Sequence, residues 1–465
     1  MVYVVILNCK NRYFTIQFRY ICTTNRDYLA LKLFDITLQA KGFPVAEARK
    51  RLREIQNIPE SQYPAYIEKA RSSILAYHLA HNPFYKSLVE AADVSDWSAV
   101  PILQKKHIQR PLVERISDTF NPKKVHQGKT SGSSGVPLHY AKDNYCHALT
   151  WAVIMDRFGW YGLDFNNSFQ ARFYGIPLDF KSYWKERLKD RLSNRYRFPI
   201  FDLSDKKLEA FLDTFRRKKF DYINGHTSSI VLFAKFLKEK ELVLSEVCPT
   251  LTHCVVTSEM LFPDDQKLLE TQLGIPVINE YGASELDLLA FTNPSGNFQV
   301  NSESLFLEIV DDDGKPVPNG TPGRILITML YNKALPFICY EVGDIGVLEK
   351  ASTAKKPILK ELLGRANDNA VLSNGTTVPG HTFYYVAKSA MGDDNVVREF
   401  TLTQNTLSSF TLTYVAARDL THHEIVKLEK ALHTYLKTAV SLHCERVPML
   451  DRSHRGKLKQ FISHL

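Results

Sequence analysis

The stretch whose composition points most directly at chemistry is Thr130-Ser131-Gly132-Ser133-Ser134-Gly135, inside HQGKTSGSSGVPLHY. Glycine lets the backbone approach a ligand closely, and successive N–H groups can converge on one anion. The hydroxyls of Thr130, Ser131, Ser133 and Ser134 add donors. A loop of this kind suits phosphate. It is not a Walker A loop, which would need glycine at Lys123 ahead of Gly128-Lys129-Thr130. The same composition also fits a flexible Ser/Gly linker. Two other clusters carry reactive or charged groups. Cys248 and Cys254, with His253 between them, have the spacing of half a zinc site, although buried free thiols explain them adequately. The run Lys181 to Phe198 interleaves basic and aromatic side chains. It reads as a solvated helix face, or more sharply as a surface for an anionic small molecule or a membrane.

The elements that must position such groups follow from periodicity. Residues 27–90 read as helices, and Asn82-Pro83 breaks the helical spacing of YIEKARSSILAYHLAHNPFYKSL. From about residue 120 the pattern alternates. HCVVTSEML and GIPVINEYGASE are buried strands ending in polar loops, and SSIVLFAKFLKEKEL is a helix between them. Apolar strands with intervening helices imply a largely parallel α/β sheet, whose ligands bind where loops leave the carboxyl ends of strands. SLFLEIVDDDGKPVPNGTPGRILITML is a hairpin, and PFICYEV and IGVLEK flank Gly343-Asp344, which together suggest a small antiparallel β-subdomain. Beyond Gly364-Arg365 the strands REFTLTQ and SSFTLTYVAA, the helix HHEIVKLEKALHTYLKTAV and a last strand in SLHCERVPML make a compact α+β unit. The fold class expected is therefore α/β: a large N-terminal domain, 1–363, with mainly parallel sheets and a small β-subdomain, then a small α+β domain, 364–465.

Composition narrows the class. The 465 residues are 44% hydrophobic and 23% charged, with a formal charge of +9, which is ordinary for a globular protein. No apolar run reaches the ~20 residues of a membrane span, so no integral membrane segment is expected. The apolar start Val2 to Leu7 is too short for a secretory signal and reads as a strand or an extension outside the main fold. The seven cysteines include no CxxC pair and fit reduced thiols in the cytoplasm. No nucleic-acid motif accompanies the basic residues. Ser463-His464-Leu465 resembles a peroxisomal address weakly, and a frayed helix end is the better reading.

Five features occur in one order: the Ser/Gly loop, Glu280-Tyr281-Gly282-Ala283-Ser284-Glu285, Tyr340-x-x-Gly343-Asp344, Gly364-Arg365-x-x-Asp368, and Arg455-Gly456-Lys457. In that order and spacing the chain resembles the adenylate-forming superfamily of acyl-CoA synthetases, adenylation domains and luciferases. More narrowly it resembles the phenylacetate–CoA ligase branch, with its relatives in capsular polysaccharide clusters. DYINGHTSSIVLFAKFL, CVVTSEML and NGTTVPG support the likeness, which spans roughly residues 60–460.

The resemblance implies that a small-molecule carboxylic acid attacks the α-phosphorus of ATP, giving acyl-AMP and pyrophosphate, and that the acyl group then passes to CoA. A carrier-protein thiol, on an acidic carrier that the basic 181–198 run would suit, or an amine in surface polysaccharide assembly, is the alternative acceptor; a nucleotide- or acyl-binding relative without turnover is the alternative of a different class. By the same resemblance Thr130 to Gly135 cradle pyrophosphate, and Lys457 bridges the two reacting anions from a mobile C-terminal domain. Glu285 is the protein ligand of Mg²⁺ and a catalytic residue. Asp344 accepts the ribose hydroxyls and Arg365 reaches ribose or phosphate. Tyr281 stacks on adenine, within the AMP-binding run Glu280, Gly282, Ala283 and Ser284, and Ser258 and Glu259 stand near the adenine edge. Asp368 is the hinge on which the C-terminal domain swivels. The likeness leaves room for a homodimer. The chain departs from it at Leu138, where many members carry lysine, and at Cys339 and Glu341, where relatives often carry arginine.

Overall fold

The computed structural model describes residues 4–9, 12–17, 33–90, 92–130, 137–176, 180–365, 369–375, 377–379, 386–387, 396–436, 438–452 and 458–465. The chain forms two compact units, Met1–Lys32 and Leu33–Leu465. In the first, Val4–Cys9 pairs antiparallel with Arg12–Gln17, so the apolar start is one arm of a hairpin.

The second unit opens with helices, among them Tyr63–His81 and Pro83–Val89. Asn82 ends the first and caps the next, its Oδ1 accepting the Tyr85 N–H at 2.8 Å, while Pro83 takes the first helical position where its missing N–H costs nothing. The break read from Asn82-Pro83 is thus a joint between two helices.

A seven-stranded sheet follows. Its order is Phe298–Val300, Asp287–Thr292, Val277–Ala283, His253–Thr257, Tyr222–His226, Gln170–Phe173, Arg195–Phe198. The last five of these pair in parallel and the first two are antiparallel additions. The Thr227–Glu239 helix leaves the end of the Tyr222–His226 strand and packs into a core of phenylalanines that includes Phe173, Phe198, Phe215 and Phe233. Gly225 is required there, since a Cβ would stand 2.5 Å from the Cβ of Phe173 on the adjacent strand.

A four-stranded antiparallel sheet comes next, in the order Leu305–Val310, Gly323–Met329, Tyr340–Leu348, Leu359–Arg365. This is the expected β-subdomain, with one correction. Gly343-Asp344 does not separate two strands but lies inside one, Tyr340–Leu348. Pairing jumps there from Leu326↔Glu341 to Arg324↔Ile345, a bulge that Gly343 permits with φ +86°. Gly364, at φ +88°, accommodates a second irregularity in the neighbouring strand, and Asp344 is left opposite Arg365.

The C-terminal sheet runs Ser441–Arg446, Ser409–Ala416, Val397–Gln404, Phe461–Ser463, with the His422–Leu436 helix contributing Leu428 and Leu432 to its core. The segment is therefore a strand, Phe461–Ser463, rather than a frayed helix end, because it finds parallel partners at Leu402 to Gln404, and His464 and Leu465 follow it outside any element. Among the described residues no helix is long and apolar enough to cross a membrane. The molecule is mixed α/β with a large, mostly parallel sheet, as the periodicity implies.

Candidate functional site

The parallel strands Gln170–Phe173, Tyr222–His226, His253–Thr257 and Val277–Ala283 end on one edge of the large sheet. That edge is where an α/β sheet offers a crevice. A cavity of about 900 Å³ opens there, and Ser258, Glu259, Glu280, Tyr281, Gly282 and Asp344 all line it. The large sheet and the β-subdomain thus bring together three separate segments of the sequence.

Two tyrosine–carboxylate hydrogen bonds join the large sheet to the β-subdomain. The Tyr281 hydroxyl donates to Asp344 Oδ2 at 2.5 Å, and the Tyr340 hydroxyl donates to Glu285 Oε1 at 3.0 Å. The arrangement is reciprocal: in one bond the large sheet gives the tyrosine, in the other the subdomain does. Asp344, Glu285 and Tyr281 are all buried. A charge-assisted hydrogen bond of this kind is worth ~1.5–3 kcal/mol, so each pair is a firm tie. Gly282 is sterically required in the strand between them, because a Cβ would approach Asp287 O to 2.7 Å. Ala283 pairs with Asp287 across the turn, and Ser284 lies within that turn. Asp287 holds the buried ammonium of Lys142, which ties the turn to the hairpin below the Ser/Gly loop.

That hairpin pairs His126–Lys129 with His139–Lys142. At its mouth the Thr130 N–H donates to Leu138 O, and the Leu138 N–H donates to Thr130 Oγ1, both at 2.9 Å. Thr130 therefore closes the base of the loop. Ser131, Gly132, Ser133, Ser134 and Gly135 lie outside the described residues, as do Asp368 and Lys457. Of Arg365 the backbone alone is described, paired opposite Asp344.

Glu259 is more heavily engaged than an adenine-edge residue need be. Its Oε2 accepts the Ser228 N–H, at the start of the Thr227–Glu239 helix, at 2.7 Å. Its Oε1 accepts the Leu458 N–H from the C-terminal segment at 2.8 Å. Arg452 adds a second tie, donating to Ser228 Oγ at 3.0 Å while pairing with Glu399. Ser258, just before, has φ +74°, a left-handed conformation uncommon for serine. Such strain often accompanies functional sites. Burial raises the Glu280 carboxyl above its ordinary range, opposed by the Thr257 hydrogen bond and the charge of Arg172.

Several groups on this sheet edge carry no motif in the sequence. Arg172 lies 4.0 Å from the Tyr174 ring, and the Tyr174 and His226 rings are 4.6 Å apart. Burial pushes the Tyr174 hydroxyl up to about 12. His226 closes the strand within DYINGHTSS, and its place at a strand end is the one sequence signal for it. Glu341, one of the departures, does not bring bare negative charge: Arg324 pairs with it at 2.8 Å and Gln104 donates to it at 2.8 Å. For Mg²⁺, no group of three or more metal-ligating side chains occurs among the described residues. Glu285 as a lone carboxylate fits a Mg²⁺ ion that takes its other ligands from nucleotide phosphates and water. Cys248 donates to Lys218 O and Cys254 is buried in its strand, so each thiol has a structural place.

No family model matches the chain. Solved structures resemble it over most of its length. 2-Hydroxyisobutyryl-CoA ligase in the postadenylation state, in complex with R3-HIB-AMP, superposes with a TM-score of 0.66, covering 88% of this chain and 91% of that one at 14% identity. The fold is that of the adenylate-forming ligases. The same ligase with 2-HIB-AMP and CoA, in the thioesterification state, gives a TM-score of 0.54 over 88% and 91% of the two chains at 15% identity. In sequence, 138 residues are 29% identical to the phenylacetate-coenzyme A ligase of Thermus thermophilus. That alignment covers 28% of this chain and 31% of the relative, so the match spans less than a third of the relative's length.

Proposed function

We propose that this adenylate-forming fold is an ATP-dependent carboxylate ligase that makes an acyl adenylate and transfers the acyl group to CoA. The observation that carries the reading is the cavity in which Tyr281 and Asp344 meet, bounded on another side by Leu458, the residue after Lys457. The CoA ligases named above support it.

In this reading the adenine lies against Tyr281 and the ribose hydroxyls donate to Asp344. An ionised carboxylate offers about four acceptor positions, so the Tyr281 bond leaves room for a ribose. The carboxylate of the acid attacks the α-phosphorus, a P–O bond forms, and the bond to the pyrophosphate oxygen breaks. Two anions must approach, so positive charge has to be supplied where they meet. Lys457 supplies it from the C-terminal side, Arg365 from the strand opposite Asp344, and the Ser/Gly loop holds the departing pyrophosphate. Mg²⁺ held by Glu285 would supply further neutralisation of phosphate charge. In the second step the CoA thiol gives its proton to water, its sulfur attacks the acyl carbon, and AMP leaves with the electrons of the broken acyl C–O bond. The unit 364–465 swivels at Asp368 between the steps, in the manner of a hinge that serves two reactions from one site. The higher TM-score with the postadenylation state than with the thioesterification state favours the first arrangement for the structure described here. The protein acts in the cytoplasm.

The test is ATP–pyrophosphate exchange across a panel of carboxylic acids, followed by acceptor trials with CoA, acyl carrier protein and amines. Acid-dependent exchange and a CoA thioester are expected. A folded protein that binds ATP but exchanges pyrophosphate with no acid would overturn the proposal.

A further inference from the structure

The Phe180–Leu192 helix has a face that the site does not use. On its inner side it packs against Arg195–Phe198, the edge strand of the large sheet. Asp190 pairs with Arg195 at 2.6 Å and with Arg197 at 2.9 Å, and Glu186 pairs with Arg197 at 3.0 Å. Arg187 lies over the rings of Tyr183 and Tyr196. Both arginines of the strand and both acids of the helix are thereby engaged with one another.

The outer side is different. Trp184, Leu188 and Leu192 recur at four-residue spacing, so they form one stripe. They are 58%, 60% and 38% exposed, among the most exposed large apolar side chains in the second unit. Lys181, Lys185, Lys189 and Arg191 are exposed around them. The helix has two carboxylates: Asp190 is turned inward, and Glu186 reaches Arg197 while also pairing with Lys189 at 2.5 Å. Among the described residues, Glu186 offsets Lys189 alone, and an apolar stripe lined with such an excess of cations is costly in water unless something covers it.

We propose that this face docks on a membrane surface that contains anionic phospholipid. Three properties favour lipid over an acidic protein. The apolar residues lie among the cations rather than in a pocket, as in helices that lie in the interface plane. Tryptophan is favoured at headgroup level. At 13 residues the helix is too short to span a bilayer but long enough to lie on one. Its place beside an edge strand puts it at the rim of the sheet, where a flat surface can reach it.

The test is sedimentation of the full-length protein with vesicles of phosphatidylcholine alone or with added phosphatidylglycerol. Binding to the anionic vesicles that weakens with salt is expected. A Lys181→Glu/Lys185→Glu variant should bind at least ~20-fold more weakly, at about fivefold per lost cation. Trp184→Ala should weaken binding and abolish a vesicle-induced blue shift of tryptophan fluorescence, with circular dichroism unchanged. No sedimentation with anionic vesicles at low salt, or equal sedimentation of wild type and variants, overturns the proposal. Retention on an acidic acyl carrier protein without vesicle binding overturns it in favour of a protein partner.

Discussion

Replacing Glu259 with glutamine separates two roles for this residue. In the structure the carboxylate accepts one N–H from the Thr227–Glu239 helix and one from Leu458. Glutamine keeps one acceptor oxygen and presents an NH₂ group where the other stood. The oxygen is best retained by Ser228, because that donor sits in the same α/β framework as residue 259. The loss then falls on Leu458, whose N–H would face a donor. A hydrogen bond to a charged group contributes ~1.5–3 kcal/mol, equivalent to about a 13- to 160-fold change in the population of the arrangement it holds. Arg452 to Ser228, and Arg398 to Asp205 and Glu239, still tie the C-terminal segment to the framework, so the lower end of that range is expected. Pyrophosphate exchange by Glu259→Gln should therefore fall by about tenfold in kcat. Acyl transfer from supplied acyl adenylate should be unchanged, because Leu458 has to move for that step. The measurement is steady-state exchange at varied ATP beside single-turnover thioester formation. If the KM for ATP rises while kcat holds, Glu259 serves the adenine edge, as the family resemblance implies, and Glu259 is not a latch on Leu458. Equal loss in both half-reactions refutes the latch too.

Lys457→Ala should abolish adenylation, by ~10²–10³ in rate, while sparing transfer from supplied acyl adenylate; equal loss of both would remove Lys457 from the first step. Asp344→Asn should raise the ATP requirement about tenfold, a cost of ~1.4 kcal/mol, with the acid requirement unmoved, since ribose contacts are made in the ground state. Asp368→Pro should leave one half-reaction and depress the other at least about tenfold, because proline fixes φ near −65° where a hinge must turn. Wild-type rates in both would show that the swivel lies elsewhere.

The strands and helices of the large sheet were legible because each is a local pattern. HCVVT and PVINEYGA carry β-branched residues in short runs, and the helix after DYING has helical spacing throughout. The pairing of Tyr281 with Asp344 was half legible: both were marked, but the bond joins residues 63 apart through the packing of two sheets. The Glu259 latch was not legible, since its donors stand 31 and 199 residues away and both are backbone groups without a side-chain signature. Gly343-Asp344 looks in sequence like a break between segments, because Gly and Asp favour turns. Pairing on both sides of Tyr340–Leu348 overrides that local preference. The final strand was missed because its partners, Leu402 to Gln404, lie in a different segment.

The bulge at Gly343 also constrains how this region can vary in length. Between Leu326↔Glu341 and Arg324↔Ile345, one residue of the inner strand faces three of the next, an excess of two. In the outer pair, Leu348↔Leu359 advances to Val347↔Glu361, and Gly346↔Leu362 to Ile345↔Gly364, so Leu359–Arg365 again gains two, one at each step. Even excesses keep inward and outward side chains in phase beyond the irregularity, whereas a slip of one inverts every position that follows. Loss or gain of a single residue in the Tyr340–Leu348 strand ahead of Asp344 would turn Asp344 to the opposite face without altering its identity. Segments exchanged with relatives, or shortened by design, should therefore be tolerated here in steps of two, and the Gly343 and Gly364 irregularities should travel together as one cassette.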